Sequence, residues 1–234
     1  MKAVIIAAGL GSRLWEKSKN IPKTLMPYGN ETILSTIMKN ISQVGIREFV
    51  VVVGYQSEKI VSYFEKNRNF DYNISVVENF EWNKGNGISV LTAEKEVGSE
   101  NFLLSMSDHI VSVSALEMIV NYDSSKNLLL VDPKVKKIFD IDDATKVEVR
   151  GSMIVNIGKE LSNYNGIDCG IFRLNGRFFE SMREQLKFNK DSISDSVNGL
   201  IKNEDMEAVF MKENDYWIDI DTPEAYRHAL ENIG

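Results

Sequence analysis

The polar and apolar positions of this 234-residue chain divide it into short unbroken apolar runs and stretches of helical spacing. Residues 3–8 (AVIIAA) and 48–53 (EFVVVV) are continuous runs of strand length, the pattern of strands buried on both faces. Between them Ile33, Leu34, Ile37, Met38 and Ile41 recur at helical spacing, which predicts a helix from Glu31-Thr32 to about Val44 with that stripe in the core. Gly54 ends the second strand, and Ser57-Glu58-Lys59 starts a helix with Ile60 and Phe64 inward. Residues 73–77 (NISVV) read as a third strand. The order strand, helix, strand, helix, strand predicts a parallel sheet with right-handed crossovers. Ligands then sit at the carboxyl ends of the strands.

The rest of the chain is more mixed. Residues 78–86 form a polar loop, followed by a helix from Gly87 or Ile88 to about Val97 and a fourth buried strand at 101–106 (NFLLSM). A helix at 116–122 and a strand at 128–131 precede a polar, irregular stretch at 133–144. Residues 145–149 and 152–157 alternate around Arg150-Gly151, a hairpin signal. Residues 167–174 (IDCGIFRL) read as a strand, with Asp168 on one face and Gly170 permitting close approach. Helices at 178–186 and 193–201 and a short strand at 208–211 follow. Thr222 is an N-cap with Pro223 at the first helical position, so a last helix runs to about Asn232.

A net charge of −7 argues against a general nucleic-acid binder, so local cations must attract any anionic ligand. Cys169 is the single cysteine, which forbids an intrachain disulfide and reads as a small buried hydrophobe. No run approaches 18 apolar residues and no signal-peptide core opens the chain; the expectation is a soluble cytoplasmic protein.

Gly9 and Gly11 follow directly on the first strand, where backbone N–H groups can approach an anion with no Cβ between. Arg13 adds a planar fork suited to phosphate and Lys23, after Pro22, a point charge. The dinucleotide fingerprint fails because Leu14 stands where its third glycine belongs, and no P-loop run exists. Asp108 ends a core strand, well placed to hold a divalent metal against phosphates. Strand alternation puts Asp219 and Asp221 on one face, and two acids there call for a cation. Only two histidines, His109 and His228, and no thiol pair argue against a His/Cys zinc site.

Ala7-Ala8-Gly9-Leu10-Gly11-Ser12-Arg13-Leu14, then Pro22-Lys23-Thr24-Leu25-Met26-Pro27, resembles the signature of the nucleotidyltransferases that activate sugar 1-phosphates and related phosphomonoesters. The resemblance implies a Rossmann-like three-layer α/β/α sandwich with a mostly parallel, mixed central sheet. It implies that Ala7, Ala8, Gly9, Leu10, Gly11, Ser12 and Arg13 hold the nucleoside triphosphate and that Lys23 contacts its α-phosphate region. Arg13, Lys23 and Asp108 are then the catalytic set. Asn79, Lys84, Gly85 and Asn86 match positions that read a pyrimidine, although many members carry Gly-Thr-Ala where this chain has Gly85-Asn86-Gly87. Asp108 falls at the family's metal aspartate and Asp219 at its second, with Asp221 at a position that is commonly glycine. Which of Asp219 and Asp221 binds the metal stays open at this point.

Ser107-Asp108-His109, Asp140-Ile141-Asp142-Asp143-Ala144-Thr145-Lys146, Ile157-Gly158-Lys159-Glu160-Leu161 and Asp168-Cys169-Gly170-Ile171-Phe172 resemble inositol-1-phosphate cytidylyltransferases. That implies CTP and inositol 1-phosphate as substrates, Mg²⁺ as cofactor, Lys159 and Lys146 on the acceptor phosphate, and Asp168 on ring hydroxyls. It also implies one domain over 1–234, with 1–112 for the nucleotide and 113–234 for the acceptor and the second metal aspartate. In some relatives this unit is the front half of a fusion with a membrane synthase. No membrane segment is found in this chain, which leaves a functional link to such a synthase, and a homodimer, as expectations. The alternatives are a nucleotidyltransferase for phosphocholine or a sugar 1-phosphate, and a nucleotide-sensing subunit without catalysis.

Overall fold

The computed structural model describes residues 1–11, 21–67, 70–135, 138 and 141–232. Its centre is a nine-stranded sheet, built from β1 (Lys2–Ala7), β4 (Glu48–Val53), β5 (Asn73–Glu78), β6 (Phe102–Met106), β8 (Asn127–Asp132), β9 (Lys146–Arg150), β10 (Met153–Gly158), β11 (Gly166–Leu174) and β12 (Met206–Phe210). The order across it is β5-β4-β1-β6-β11-β8-β12-β10-β9. The first four strands are parallel, as the alternation of strand and helix predicts. β11 enters antiparallel between β6 and β8, so the sheet is mixed. Two short ribbons lie outside it: β2 (Pro27–Tyr28) with β3 (Glu31–Thr32), and β7 (His109–Val111) with β13 (Trp217–Asp219). β2, β3 and β7 are too short to carry a period, whereas β13 is the strand expected before Thr222, ending at Asp219 and so stopping short of Asp221.

Both faces of the sheet are covered. On β1, Ala3, Ile5 and Ala7 join one core, together with Ile33, Ile37 and Met38 of α1 (Ile33–Gln43), Ile60 of α2 (Ser57–Lys66), Leu116 of α5 (Val113–Val120) and Ala229 of α8 (Pro223–Asn232). Val4 and Ile6 face the other core, with Val90 of α3 (Asn86–Thr92), Val97 of α4 (Glu94–Val97), Phe178 of α6 (Gly176–Leu186) and Val197 of α7 (Ile193–Lys202). The unbroken apolar run of β1 is thus explained by two cores, one per face. Helix starts follow local chemistry: Thr32 and Ser35 form a capping box on α1, and Ser192 and Asp195 form one on α7. The helix expected up to about Val97 is instead two, because the chain turns tightly at Ala93, whose N–H bonds Val90 O at 3.0 Å. The predicted hairpin forms, with Gly151 at φ +63° in its turn.

Candidate active site

The carboxyl ends of β1 and β6 face the same side, and the candidate residues gather there. Ala7 and Ala8 are buried, and Tyr55 N–H ties Ala8 O to the end of β4 at 3.0 Å. The chain then opens through Gly9 and the exposed Leu10 to Gly11, whose φ of +62° suits glycine. A Cβ at Gly11 would come 3.0 Å from Lys23 Cβ, so the glycine lets the loop close over the lysine. Ser12 and Arg13 lie outside the described residues.

Lys23 begins a short 3₁₀ turn after Pro22. Its ammonium donates to Asp108 Oδ2 and to Asp221 Oδ1, each at 2.5 Å. Burial disfavours this charge, but Asp108 and Asp221 outweigh burial and hold Lys23 above the usual lysine range. Partial burial works against the Asp108 carboxylate, but Lys23 and His109 keep it ionised, well below the usual carboxylate range. His109 Nδ1 lies 2.7 Å from Asp108 Oδ1 and 3.8 Å from Asp219 Oδ1. Burial opposes its charge, yet Asp219 and Asp108 push it up to about 9, so the ring is a cation at neutral pH. Asp219 itself is pushed up to about 6, by burial and by Asp108 and Asp221.

The β7–β13 ribbon creates this cluster by setting Asp219 opposite His109. Asp108, His109 and Asp219 offer ligand atoms that all lie within 4.8 Å of one another. Asp219 Oδ1 is buried with no hydrogen-bond donor among the described residues. A buried carboxylate oxygen lacking a donor, beside a second carboxylate, fits a hard divalent cation. Asp221 meets Asp108 through the shared ammonium of Lys23 rather than within that group of three.

Two cavities adjoin here and share Asn86 and Met106 in their walls. The smaller, about 180 Å³, is lined by Gly9, Gly11, Lys23, Trp82 and Lys84. The larger, about 490 Å³, is lined by Asp108, His109, Lys159, Asp168, Trp217 and Asp219. Asp168 Oδ1 accepts from Gly170 N–H at 2.7 Å, and burial pushes its carboxyl up to about 6. Lys159 pairs with Asp143 at 2.6 Å. Lys146 is not in that wall; it is buried and donates to Asp142 O at 3.1 Å.

The loop after β5 is braced from within. Asn79 is buried; its Nδ2 donates to Ser89 Oγ at 3.0 Å and its Oδ1 accepts from Glu81 N–H at 2.9 Å. Gly85 N–H donates to Asp191 Oδ2 at 2.8 Å, and a Cβ there would overlap Asp191 at 2.3 Å. Asn86 Oδ1 accepts from Ile193 N–H at 2.9 Å, at the start of α7. The loop therefore joins the two halves of the sheet's helical cover as well as walling the smaller cavity.

Sequence reasoning passes over Thr24 and Asp132. The Thr24 hydroxyl is buried on the wall of the smaller cavity, without a partner among the described residues. Asp132 lines the larger one and ends an apolar strand, the same signal that marks Asp108.

The model of the nucleotidyl transferase family matches residues 2–137, more than half of the chain. The chain belongs to the nucleotidyl transferase family. It is 33% identical over 231 residues to a bifunctional IPC transferase and DIPP synthase of Aquifex aeolicus, covering 99% of this chain and 51% of that protein. A relative of the same description from Archaeoglobus fulgidus is 31% identical over 98% of this chain and 43% of its own length. The chain thus spans about half the length of these curated relatives. Among solved structures, the inositol-1-phosphate CTP transferase from T. maritima superposes with a TM-score of 0.85 at 27% identity, over 96% of this chain and 90% of that one. Among the described residues of this nucleotidyl transferase, no helix is long and apolar enough to cross a membrane.

Proposed function

We propose that this nucleotidyl transferase moves a cytidylyl group from CTP to myo-inositol 1-phosphate, releasing pyrophosphate and forming CDP-inositol. The observation that carries the reading is the Lys23–Asp108–His109–Asp219 cluster, set where a glycine-walled cavity meets a larger, acid-lined one. The name of the T. maritima protein, an inositol-1-phosphate CTP transferase, points to the same pair of substrates.

In this reading CTP occupies the smaller cavity. The N–H groups of residues 7–11, with Ser12 and Arg13, take its phosphates, and Lys23 turns from the acids to an α-phosphate oxygen. Asn79, Lys84, Gly85 and Asn86 shape the base site. The acceptor lies in the larger cavity with its phosphate near Lys159 and its hydroxyls toward Asp168, while Lys146, buried on Asp142 O outside that wall, supports the loop behind it. Residues 1–112 then serve the nucleotide, and 113–234 the acceptor and the second metal aspartate.

The second pKa of a phosphomonoester is about 6, so the attacking oxygen is already charged at neutral pH and needs no general base. It attacks the α-phosphorus in line; a P–O bond forms there and the bond to the bridging oxygen of pyrophosphate breaks. The difficulty is repulsion between anions, and positioned cations remove it. Mg²⁺, held by Asp108 and Asp219 with Asp221 beside them, would neutralise charge on the phosphates. A phosphocholine acceptor calls for an aromatic cage around its ammonium. Of the candidates Trp82, Tyr216 and Trp217, Trp82 stands in a different cavity from the other two and Trp217 is stacked on His109, which speaks against a three-sided cage. The product would supply a membrane phosphodiester synthase, and a homodimer is part of this reading.

The test is pyrophosphate release with Mg²⁺, offering CTP or UTP against inositol 1-phosphate, phosphocholine and glucose 1-phosphate. Release with CTP and inositol 1-phosphate supports the reading. Release with another pair keeps the mechanism and overturns the acceptor. No release with any pair favours a sensing subunit.

A further inference from the structure

Asp132 faces the active site from the end of β8 without belonging to the acid cluster, and it is 5% exposed. Its Oδ2 accepts from Trp217 Nε1 at 2.9 Å, and its Oδ1 accepts from Lys134 N–H at 2.8 Å. The indole it holds is stacked on His109, with ring centroids 5.6 Å apart and planes at 19°. His109 in turn rests on bare backbone at Gly170, where a Cβ would approach the imidazole Cδ2 to 2.5 Å. The same imidazole holds Asp108 Oδ1, while Asp108 Oδ2 receives Lys23. An unbroken path therefore runs from the central sheet, through one hydrogen bond, one ring stack and a second hydrogen bond, to the carboxylate at the centre of the site.

The path matters because the ribbon that carries His109 and Trp217 is only three residue pairs long. A two-stranded ribbon is marginal by itself. The terminal torsion of a carboxylate is broad, so Asp108 keeps its direction only while something fixes one of its oxygens. We propose that Asp132 is a positioning residue for Asp108, acting through Trp217 and His109. The proposal rests on reading Asp108 as the residue that faces metal and nucleotide phosphate. Groups bonded directly to a metal ligand typically change metal affinity or activity by about 10–100-fold, and Asp132, two contacts further out, belongs at the lower end of that range.

Two variants break the path at different points. Asp132→Asn leaves one acceptor oxygen for two donors. Trp217→Phe keeps an aromatic ring against His109 and deletes the N–H, while leaving the Asp132–Lys134 contact in place. Each is expected to lower kcat for pyrophosphate release about 10-fold, to change KM for CTP by less than about threefold, and to weaken Mn²⁺ binding, read by electron paramagnetic resonance, about 10-fold. The double variant should be no worse than the poorer single one, because both cut the same path. In Asp132→Asn the ring-current displacement of the His109 Cε1–H resonance should fall by at least half, a readout that needs neither metal nor substrate. Additive losses, or an unmoved His109 resonance in folded Asp132→Asn, would overturn the proposal. If that variant does not fold, Trp217→Phe decides through Mn²⁺ affinity and the split between kcat and KM. A wild-type chain that releases no pyrophosphate with any pair defeats the functional reading alone, since the resonance and Mn²⁺ affinity still judge the path.

Discussion

Replacing Lys23 with methionine keeps an unbranched stem and deletes the cation between Asp108 and Asp221. The side chains of Lys23, Asp108 and Asp221 are 13%, 17% and 20% exposed, so the pair is well shielded from solvent. Removing one partner of a buried ion pair costs about 3–5 kcal/mol. His109 still faces Asp108, and Asp219 can take up a proton, so the loss here sits near the lower end, about 3 kcal/mol. For a chain of this length that is a fall in Tm of about 6–12 °C in metal-free buffer at pH 7.5. A divalent cation should then return much of it. At a hundred times its Kd, bound Mg²⁺ contributes about 2.7 kcal/mol, or about 5–11 °C. In the wild-type chain Lys23 already holds the acids and competes with the ion, so Mg²⁺ should raise its Tm by less than half as much. Thermal unfolding by circular dichroism, with and without Mg²⁺, reads all four values. An unchanged Tm in metal-free Lys23→Met would refute the claim that the ammonium neutralises the acids. No rise with Mg²⁺ in that variant would remove the metal assignment.

Asp108→Ala should lower the rate of pyrophosphate release about 10²–10³-fold with circular dichroism unchanged, and wild-type turnover in that variant would sink the metal and phosphate assignment. Asp168 has its carboxyl pushed up by burial to about 6 from 3.8. Between those values the folded chain keeps a proton that the unfolded chain has released, so stability falls as pH rises through that window. Asp168→Asn keeps an acceptor for Gly170 N–H, removes that slope, and should stabilise the chain above pH 6 by up to about 3 kcal/mol. Guanidinium unfolding from pH 4 to pH 8 checks it; a variant less stable than wild type at pH 8 contradicts it. Gly170→Ala places a side chain at φ +72° and drives it into the His109 ring. It should cost at least about 1–2 kcal/mol in urea unfolding and lower turnover, whereas a silent substitution would mean that His109 is not seated as described.

Much of the fold is legible in the chain because burial writes periodicity. The apolar run at 48–53 is β4 to the residue, and the stripe from Ile33 to Ile41 is α1, since a strand buried on two faces and a helix buried on one leave different spacings. The turn after β1 is legible for a similar local reason: Gly9 and Gly11 follow the strand directly, and Gly11 takes a positive φ that suits glycine. What local pattern determined, then, is the parallel block and the chemistry at its edge. Tertiary structure alone decided how the acids are used. Asp108 lies more than a hundred residues before Asp219 and Asp221, and only the fold brings His109 and Asp219 face to face, through the β7–β13 ribbon, and sets Lys23 between Asp108 and Asp221. The same holds for Gly85, which reads as a loop glycine and proves to be the point where Asp191 packs too closely for any Cβ. Asp132 is the clearest case, because its partner Trp217 lies 85 residues away. A contact set by chain topology leaves no spacing in the sequence, for the sequence records which face a residue shows, and the fold decides what meets it there.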